Sequence, residues 1–414
     1  MSLVENMITM LSGMDEAAIE VHTERCVTVR NRHAACLRCV EACTSGAIIY
    51  EDGELQVHPK KCIGCGTCAT ACPTSAIEVR SITDDDLTGM LKRSIKATKG
   101  HPVFACETAL AALQTAGKSP LHRHDTLLSY NPDRIAAVPC LGRIDESILV
   151  GAAAYRSFDV TLVCGSCENC IHATGGALCR KVAESARGLL QAFGSTMSVT
   201  VTDELPGHVA LGKPQPASSF NTDDLGASRR DFFREGKDAA GKATIAVATD
   251  KAASVLGENA VAQLRKVDKK TGTLDQAIPT RRTRLYNYLK HVGEPVTDTV
   301  SSRVIGAAVI DTDACTSCRM CTVFCPTGAL FRVDEDDTWG VAHRASACVQ
   351  CRLCENLCPQ HAIHVKSDVP ARQFMGKQVV LYDMEKPTWE PNKPDSMYNK
   401  FHSIIGEDLE MCMF

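Results

Sequence analysis

One cysteine spacing recurs three times and limits what this chain can become. KCIGCGTCATACP carries Cys62, Cys65, Cys68 and Cys72, ACTSCRMCTVFCP carries Cys315, Cys318, Cys321 and Cys325, and ACVQCRLCENLCP carries Cys348, Cys351, Cys354 and Cys358. Each reads C-x-x-C-x-x-C-x-x-x-C-P in full. Three thiolates two residues apart can wrap one corner of a metal–sulfur body. The fourth lies on a short helix leading toward a neighbouring body, and proline ends that helix. Zinc would ask for two ligand pairs separated by a finger, which does not account for a fourth cysteine before proline. Disulfides are the reading for small secreted chains, not for loops of this kind.

This is the run of the bacterial two-cluster ferredoxins, whose fourth cysteine ligates the other cluster of the pair. Residues 22–80 and 306–366 resemble that family. The resemblance implies that Cys315, Cys318 and Cys321 share a [4Fe–4S] cluster with Cys358, and that Cys348, Cys351 and Cys354 share one with Cys325. Cys62, Cys65 and Cys68 would share one with Cys43. A short strand follows each loop (AIEV, ALFRV, AIHV), and hairpins lie between paired loops: AIIYEDGELQVH, with Asp52–Gly53 as its turn, and ALFRV through DEDDTWG to VAHR.

The first loop departs from the pattern. In RCVTVRNRHAACLRCVEACTSGAI, Cys36, Cys39 and Cys43 match the second, third and fourth positions, but His33 stands at the first, Cys26 lies seven residues earlier, and Thr44 replaces proline. Cys72 would join Cys36 and Cys39, leaving Cys26 and His33 to compete for the last place. A thiolate is the usual cubane ligand, and histidine would raise the potential. Loop insertions cost little, because closure entropy grows only logarithmically with length. Cys26 is therefore the expected ligand. His33, a three-iron cluster or no cluster are the alternatives.

The 414 residues suggest two to four domains. Of 23 cysteines, sixteen fall in the four loops, six lie between Cys106 and Cys179, and Cys412 is near the end. Reduced thiols imply an intracellular setting, and MSLVENMITMLSGMDEAAIEV lacks a basic n-region, so a cytoplasmic protein is expected. The net charge of −4 gives no sign of nucleic acid or an anionic membrane surface. No apolar run approaches the ~18 residues of a membrane span. SRRDFF, at Ser228–Phe233, looks like a twin-arginine signal but lies mid-chain with no apolar segment after it, and reads as a surface helix start. Aromatics are only 5% of residues, so bound clusters are expected to replace part of the core and apo-protein to fold poorly.

The middle of the chain alternates differently. PVFAC and IAAVPC read as short strands, DESILVGAAAYRSF as a helix, DVTLVCG as a buried strand, CRKVAESARGLLQAFG as a helix, and SVTVTDEL as a further strand. That order predicts a central flavodoxin-like or Rossmann-like α/β domain between α+β ferredoxin-like modules at both ends. Cys106, Cys140 and Cys164 each close a strand, and Cys167 and Cys170 follow in the next loop, at the edge where open α/β sheets place ligands. No G-x-G-x-x-G or P-loop supports a nucleotide site.

This block, through FAC, PCLGRIDESILVGAAAYRSFDVTLVCG and CENCIHATGG, resembles the delta subunit of methyl-viologen-reducing hydrogenases. The resemblance implies a [2Fe–2S] cluster held by strand-end cysteines. Cys106, Cys140 and Cys170 are the expected ligands, with Cys164 or Cys167 as the fourth. Cys179 reads as helix packing and His172 as a loop residue.

The expected layout is a two-cluster module at 1–95, the α/β iron–sulfur domain at 96–215, a linker with helices at 216–300, a second two-cluster module at 301–370, and an extended tail at 371–414. Within it, 204–243 reads as linker, and RRTRLYNYLKHVG as a basic helix with a solvated face. The tail, with Trp389, Tyr398, Phe401 and Phe414, is either disordered or an arm that clasps a partner. The chain has no catalytic acid–base or nucleophile constellation. It reads as an electron-transfer subunit serving a hydrogenase, a heterodisulfide-reductase-like enzyme, a formate oxidoreductase or a molybdenum- or tungsten-dependent (aldehyde-oxidising) enzyme, with a flavin subunit nearby by analogy. The alternatives are an enzyme that reduces a disulfide or small molecule at the central cysteines, and a redox-sensing scaffold.

Overall fold

A computed structural model describes residues 18–31, 34–51, 54–116, 126–220, 267–268, 270–335, 338–376 and 378–387. At the N-terminal end, Ile19–Val21 pairs antiparallel with Ile77–Val79, and Ile48–Glu51 pairs with Glu54–Val57. The C-terminal end repeats the plan with Ala307–Ile310 against Ile363–Lys366 and Leu330–Glu335 against Thr338–His343. Each half carries two one-turn helices that begin within a cysteine loop: Arg38–Glu41 and Thr67–Ala71, then Met320–Phe324 and Leu353–Leu357. The strands expected after the loops are present. The Asp52–Gly53 turn, His33, the SRRDFF stretch, Cys412 and the tail beyond residue 387 lie outside the described residues. The first part of the expected tail folds back. Ala371–Met375 is a helix that buries Phe374, and Val380–Asp383 adds a third strand to the C-terminal hairpin.

The middle holds a four-stranded parallel sheet. Its strands are Val103–Cys106, Ile135–Val138, Asp159–Val163 and Ser198–Thr202, and they lie in the spatial order second, first, third, fourth. VFAC, IAAV and DVTLV are nearly continuous apolar runs, and Val103–Cys106 is buried along its whole length, as parallel strands covered on both faces are. The helices are Asp84–Ala97, Glu146–Ala154 and Ala173–Ala192. Thr83 and Asp86 form a reciprocal capping box at the first, and the Asp145 carboxylate accepts the Ser147 and Ile148 amides at the second. The third starts six residues before the Cys179 at which the sequence pattern begins it. Gly175 and Gly176, poor helix formers, hide that start.

One expectation is corrected and another extended. The linker expected over 204–243 contains a strand, Ala210–Pro216, which pairs with Thr126–Tyr130 in a small antiparallel sheet that also includes Gln114–Ala116. It is an edge strand, where prolines are tolerated and alternation is weak, so its pattern does not announce it. The basic helix, Thr280–Val292, has the expected solvated face at Thr283, Asn287, Lys290 and His291, but it has a buried one as well. It buries Leu285 and Leu289, and its Tyr288 ring packs on Gly151 with the Tyr155 and Tyr288 hydroxyls 3.0 Å apart.

Arginines join the three parts. Arg281 donates to the Cys72 carbonyl at 2.8 Å, and Arg282 to the Ala345 and Ser346 carbonyls. Arg303 pairs with the buried Glu146 at 2.6 Å and also donates to the Thr70 carbonyl. Arg143 is 2% exposed and pairs with Asp84 at 2.6 Å. Burial alone would raise the Asp84 carboxyl, but the guanidinium groups of Arg143, Arg281 and Arg284 hold it below the usual carboxylate range.

Candidate iron–sulfur sites

Three cysteines that begin loops share one local backbone. Cys62 follows the 3₁₀ turn Pro59–Lys61 with φ −72° and ψ 122°, and Cys348 follows Ala345–Ala347 with φ −74° and ψ 122°. Cys26 follows Thr23–Arg25 with φ −73° and ψ 122°. Cys315 follows a wider turn, its amide donating to the Asp311 carbonyl. Burial raises the thiols of Cys62, Cys348 and Cys26, and nearby backbone amides oppose the rise: Gly64 at Cys62, Gln350 at Cys348, and Val29 and Thr28 at Cys26. Cys26 therefore occupies the first-cysteine place of its loop despite its distance in sequence.

The three regular loops also share two left-handed positions: Gly64 and Gly66, Ser317 and Arg319, Gln350 and Arg352, with φ between 55° and 72°. Only two of these six are glycine. The others hold a conformation that costs of order 1–3 kcal/mol each, which a bound cluster can offset. In the first loop Leu37 has φ −116° instead, so the inserted segment changes the path of the chain.

The thiols converge in sets. Burial pushes the Cys39 thiol up to about 12, and the neighbouring Cys72, Cys26 and Cys36 thiols add to the shift. Burial raises Cys68, with Cys65, Cys62, Cys39 and Cys43 contributing. Burial raises Cys321 strongly, with Cys318, Cys315, Cys358 and Cys325 beside it, and Cys354 likewise, with Cys351, Cys348, Cys325 and Cys321 beside it. Cys43 goes the other way. Burial would raise it, yet the Ser45 hydroxyl and the Ile48 and Ala47 amides hold its thiol below the ordinary value. Crowded buried thiols resist ionisation until a cation takes them, which is how metal loading becomes folding energy. Among the described residues, no three His, Cys, Asp or Glu side chains come close enough to hold a single ion. A tetrahedral zinc would draw its thiolates in to about 2.3 Å from one centre.

In the middle, a small cavity of about 20 Å³ is lined by Cys106, Cys140, Cys164, Cys167, Cys170 and His172. The Cys106 sulfur accepts the Ala109 and Gly165 amides, Cys140 the Gly142 amide, and Cys170 the His172 amide. Cys164 and Cys167 instead donate to the Thr202 and Gly165 carbonyls. The start of the Ala173–Ala192 helix reaches these sulfurs through two glycines: a Cβ on Gly175 would run into the Cys140 sulfur, and one on Gly176 into the Cys167 sulfur. Burial pushes the Cys140 thiol up to about 12. Cys179 is 1% exposed on that helix, packed in the core as expected. The sequence reading passed over His172. It is 8% exposed, lines the cavity, and its Nδ1 has no hydrogen-bond partner.

The sets adjoin across the seams. Cys65 lies near enough to Cys140 to raise its thiol, and Thr67 and Gly142 meet there. Cys36 and Cys351 pack against one patch formed by Val27, Phe324, Leu353 and Leu357. Thr44 also has a role at a seam. Its hydroxyl lies 2.7 Å from that of Thr174, which donates to the Ala42 carbonyl at 2.7 Å, so proline there would forfeit a link between the modules. Thr174→Val should cost about 1 kcal/mol of stability, read as a lowered urea midpoint of the iron-loaded protein.

Both ends are 4Fe-4S ferredoxin domains. A 4Fe-4S binding domain matches residues 55–78 and a 4Fe-4S dicluster domain matches residues 314–363, so the chain holds at least two such clusters. The chain is 39% identical over 61 residues to the electron transport protein HydN of Escherichia coli, covering 14% of this chain and 35% of HydN. It is 46% identical over 46 residues to an uncharacterized ferredoxin of Methanocaldococcus jannaschii, covering 11% and 28%. It is 45% identical over 47 residues to the archaeal-type NADPH glutamate synthase of Thermotoga maritima, covering 11% and 9%. The chain thus spans about a third or less of the length of these relatives. No helix among the described residues is long and apolar enough to cross a membrane.

Proposed function

We propose that the chain is a multi-cluster electron-transfer subunit of a larger oxidoreductase complex. Four [4Fe–4S] clusters would be held by Cys26, Cys36, Cys39 and Cys72; by Cys62, Cys65, Cys68 and Cys43; by Cys315, Cys318, Cys321 and Cys358; and by Cys348, Cys351, Cys354 and Cys325. A [2Fe–2S] cluster would be held by Cys106, Cys140, Cys170 and Cys167. Cys167 is preferred to Cys164 because a glycine makes room for its sulfur as one does for Cys140. When bound, these groups supply one-electron acceptors whose potentials follow burial, hydrogen bonding and ligand type. The observation that carries the reading is the adjacency of the sets. The central cysteines abut the Cys62 set, that set shares a module with the Cys26 set, and the Cys26 set abuts the Cys348 set. Together they make one continuous series with the central site at one end and the Cys315 set at the other.

The strand order second, first, third, fourth is that of flavodoxin-like sheets, and Cys106 and Cys164 stand at the switch point between its first and third strands. This supports the likeness to the hydrogenase delta subunit and a partner that carries the catalysis, such as a hydrogenase, a heterodisulfide-reductase-like enzyme or a molybdenum or tungsten enzyme. A cytoplasmic, anaerobic setting suits clusters held by reduced thiolates. Anaerobically purified protein should hold about 18 irons per chain, from four four-iron clusters and one two-iron cluster. About 8 irons would refute the reading.

A further inference from the structure

Two arginines are buried beside the same cysteine set and make no close ion pair among the described residues; the Asp275 and Glu24 carboxylates act on Arg30 only more weakly than Cys325 and Cys351 do. Arg30, in the segment inserted between Cys26 and Cys36, is 4% exposed. Its Nε donates to the Phe324 carbonyl at 3.2 Å, immediately before Cys325, and its Nη1 donates to the Asp275 and Glu24 carbonyls. All three acceptors are uncharged backbone groups. Among the described residues, no ion pair neutralises it, and its buried Nη2 has no hydrogen-bond partner. Arg282 is also 4% exposed. Its guanidinium donates to the Ser346, Ala345 and Val304 carbonyls, just ahead of Cys348, and lies over the Phe374 ring.

A buried cation without a close counter-charge is costly unless something nearby is negative. Four thiolates around an iron–sulfur cubane are negative, and become more so when the cluster takes an electron. A fixed guanidinium in a low-dielectric setting acts on that extra charge far more strongly than one in water. The other sets differ. Arg143, 2% exposed against Gly66 of the Cys62 loop, is neutralised by Asp84 at 2.6 Å, and Arg319, 9% exposed within the Cys315 loop, lies 3.7 Å from the Asp334 carboxylate. Arg281 and Arg38 near the Cys26 set are only partly buried, and Arg180 near the central cysteines is exposed.

We infer that Arg30 and Arg282 are potential-setting residues that make the cluster of Cys348, Cys351, Cys354 and Cys325 the most positive of the four four-iron clusters, so that it holds electrons in the middle of the series. This rests on the ligation proposed above. It also gives the insertion a purpose, since the segment that displaces Cys26 in sequence carries Arg30 across the seam to the neighbouring module.

The test is an EPR-monitored redox titration of the full chain, purified anaerobically with its iron counted, for the unaltered protein and for Arg30→Met, Arg30→Lys and Arg282→Met. Arg30→Met and Arg282→Met should each move one and the same midpoint to more negative potential, the one that is most positive in the unaltered protein, with iron content unchanged. Arg30→Lys, which keeps the charge, should retain most of the original value. No shift in iron-replete Arg30→Met, a shift in a different signal, or an equal shift in Arg30→Lys would overturn the inference. If Arg30→Met loses iron, Arg282→Met decides alone. Unaltered protein well short of about 18 irons would sink the ligation scheme itself, a separate failure read before any variant is compared.

Discussion

Cys26→Ala will cost the chain one cluster. Iron should fall by about four per chain, or by about one if a three-iron body survives on Cys36, Cys39 and Cys72, while His33→Ala should leave the count unchanged. Cys26 has the same backbone angles as Cys62 and Cys348 and follows the same kind of 3₁₀ turn. Its thiol lies with those of Cys72 and Cys36, which raise it further above the value that burial imposes. Low-temperature EPR with iron analysis separates the outcomes. Full iron in Cys26→Ala, with loss in His33→Ala, would make histidine the ligand.

Gly175→Ala should remove the two irons of the central site and leave the four-iron signals in place. The new Cβ would occupy the space of the Cys140 sulfur and crowd the Thr67 hydroxyl at 3.2 Å. Cys140 sits 6% exposed between the glycine helix and the Leu141–Arg143 turn, so its sulfur can give way only into the small cysteine-lined cavity that the cluster would fill. Overpacking of this kind costs about 1–3 kcal/mol, and here the thiolate is the group that must move. Iron should drop by about two, with loss of the two-iron absorption and EPR features. An unchanged iron count with a stable fold would remove Cys140 from the ligand set. Gly142→Ala tests the seam instead, because its Cβ would lie 2.6 Å from the Thr67 Oγ1 and 2.7 Å from the Gly175 Cα.

The loops were legible because a cubane imposes its spacing on the chain locally. KCIGCGTCATACP needs no partner to announce its chemistry, and the family matches to both ends agree with it. The central strands were legible because parallel strands buried on both faces read as apolar runs. The strand Ala210–Pro216 was not, since an edge strand needs neither alternation nor apolarity. The start of the helix at Ala173 was hidden by Gly175 and Gly176, residues placed there for the sulfurs they admit rather than for helix propensity. His172 was passed over because a lone histidine in a loop carries no pattern. Only its burial against the cysteine cavity marks it.

The sequence by itself determined the local chemistry: which cysteines belong to ferredoxin loops, where the apolar strands run, and that one loop is irregular. Tertiary structure alone decided why it is irregular. The insertion after Cys26 carries Arg30 into the C-terminal module, and Thr44 stands in place of proline to bond Thr174. Packing likewise gave a basic stretch, Thr280–Val292, a buried side opposite its solvated one, and that side ties three parts together. Metal-ligand spacing is a short-range constraint written within a dozen residues. The order in which the sites adjoin depends on contacts between residues hundreds of positions apart, such as Arg30 with Phe324 and Thr70 with Arg303, and no local pattern encodes those.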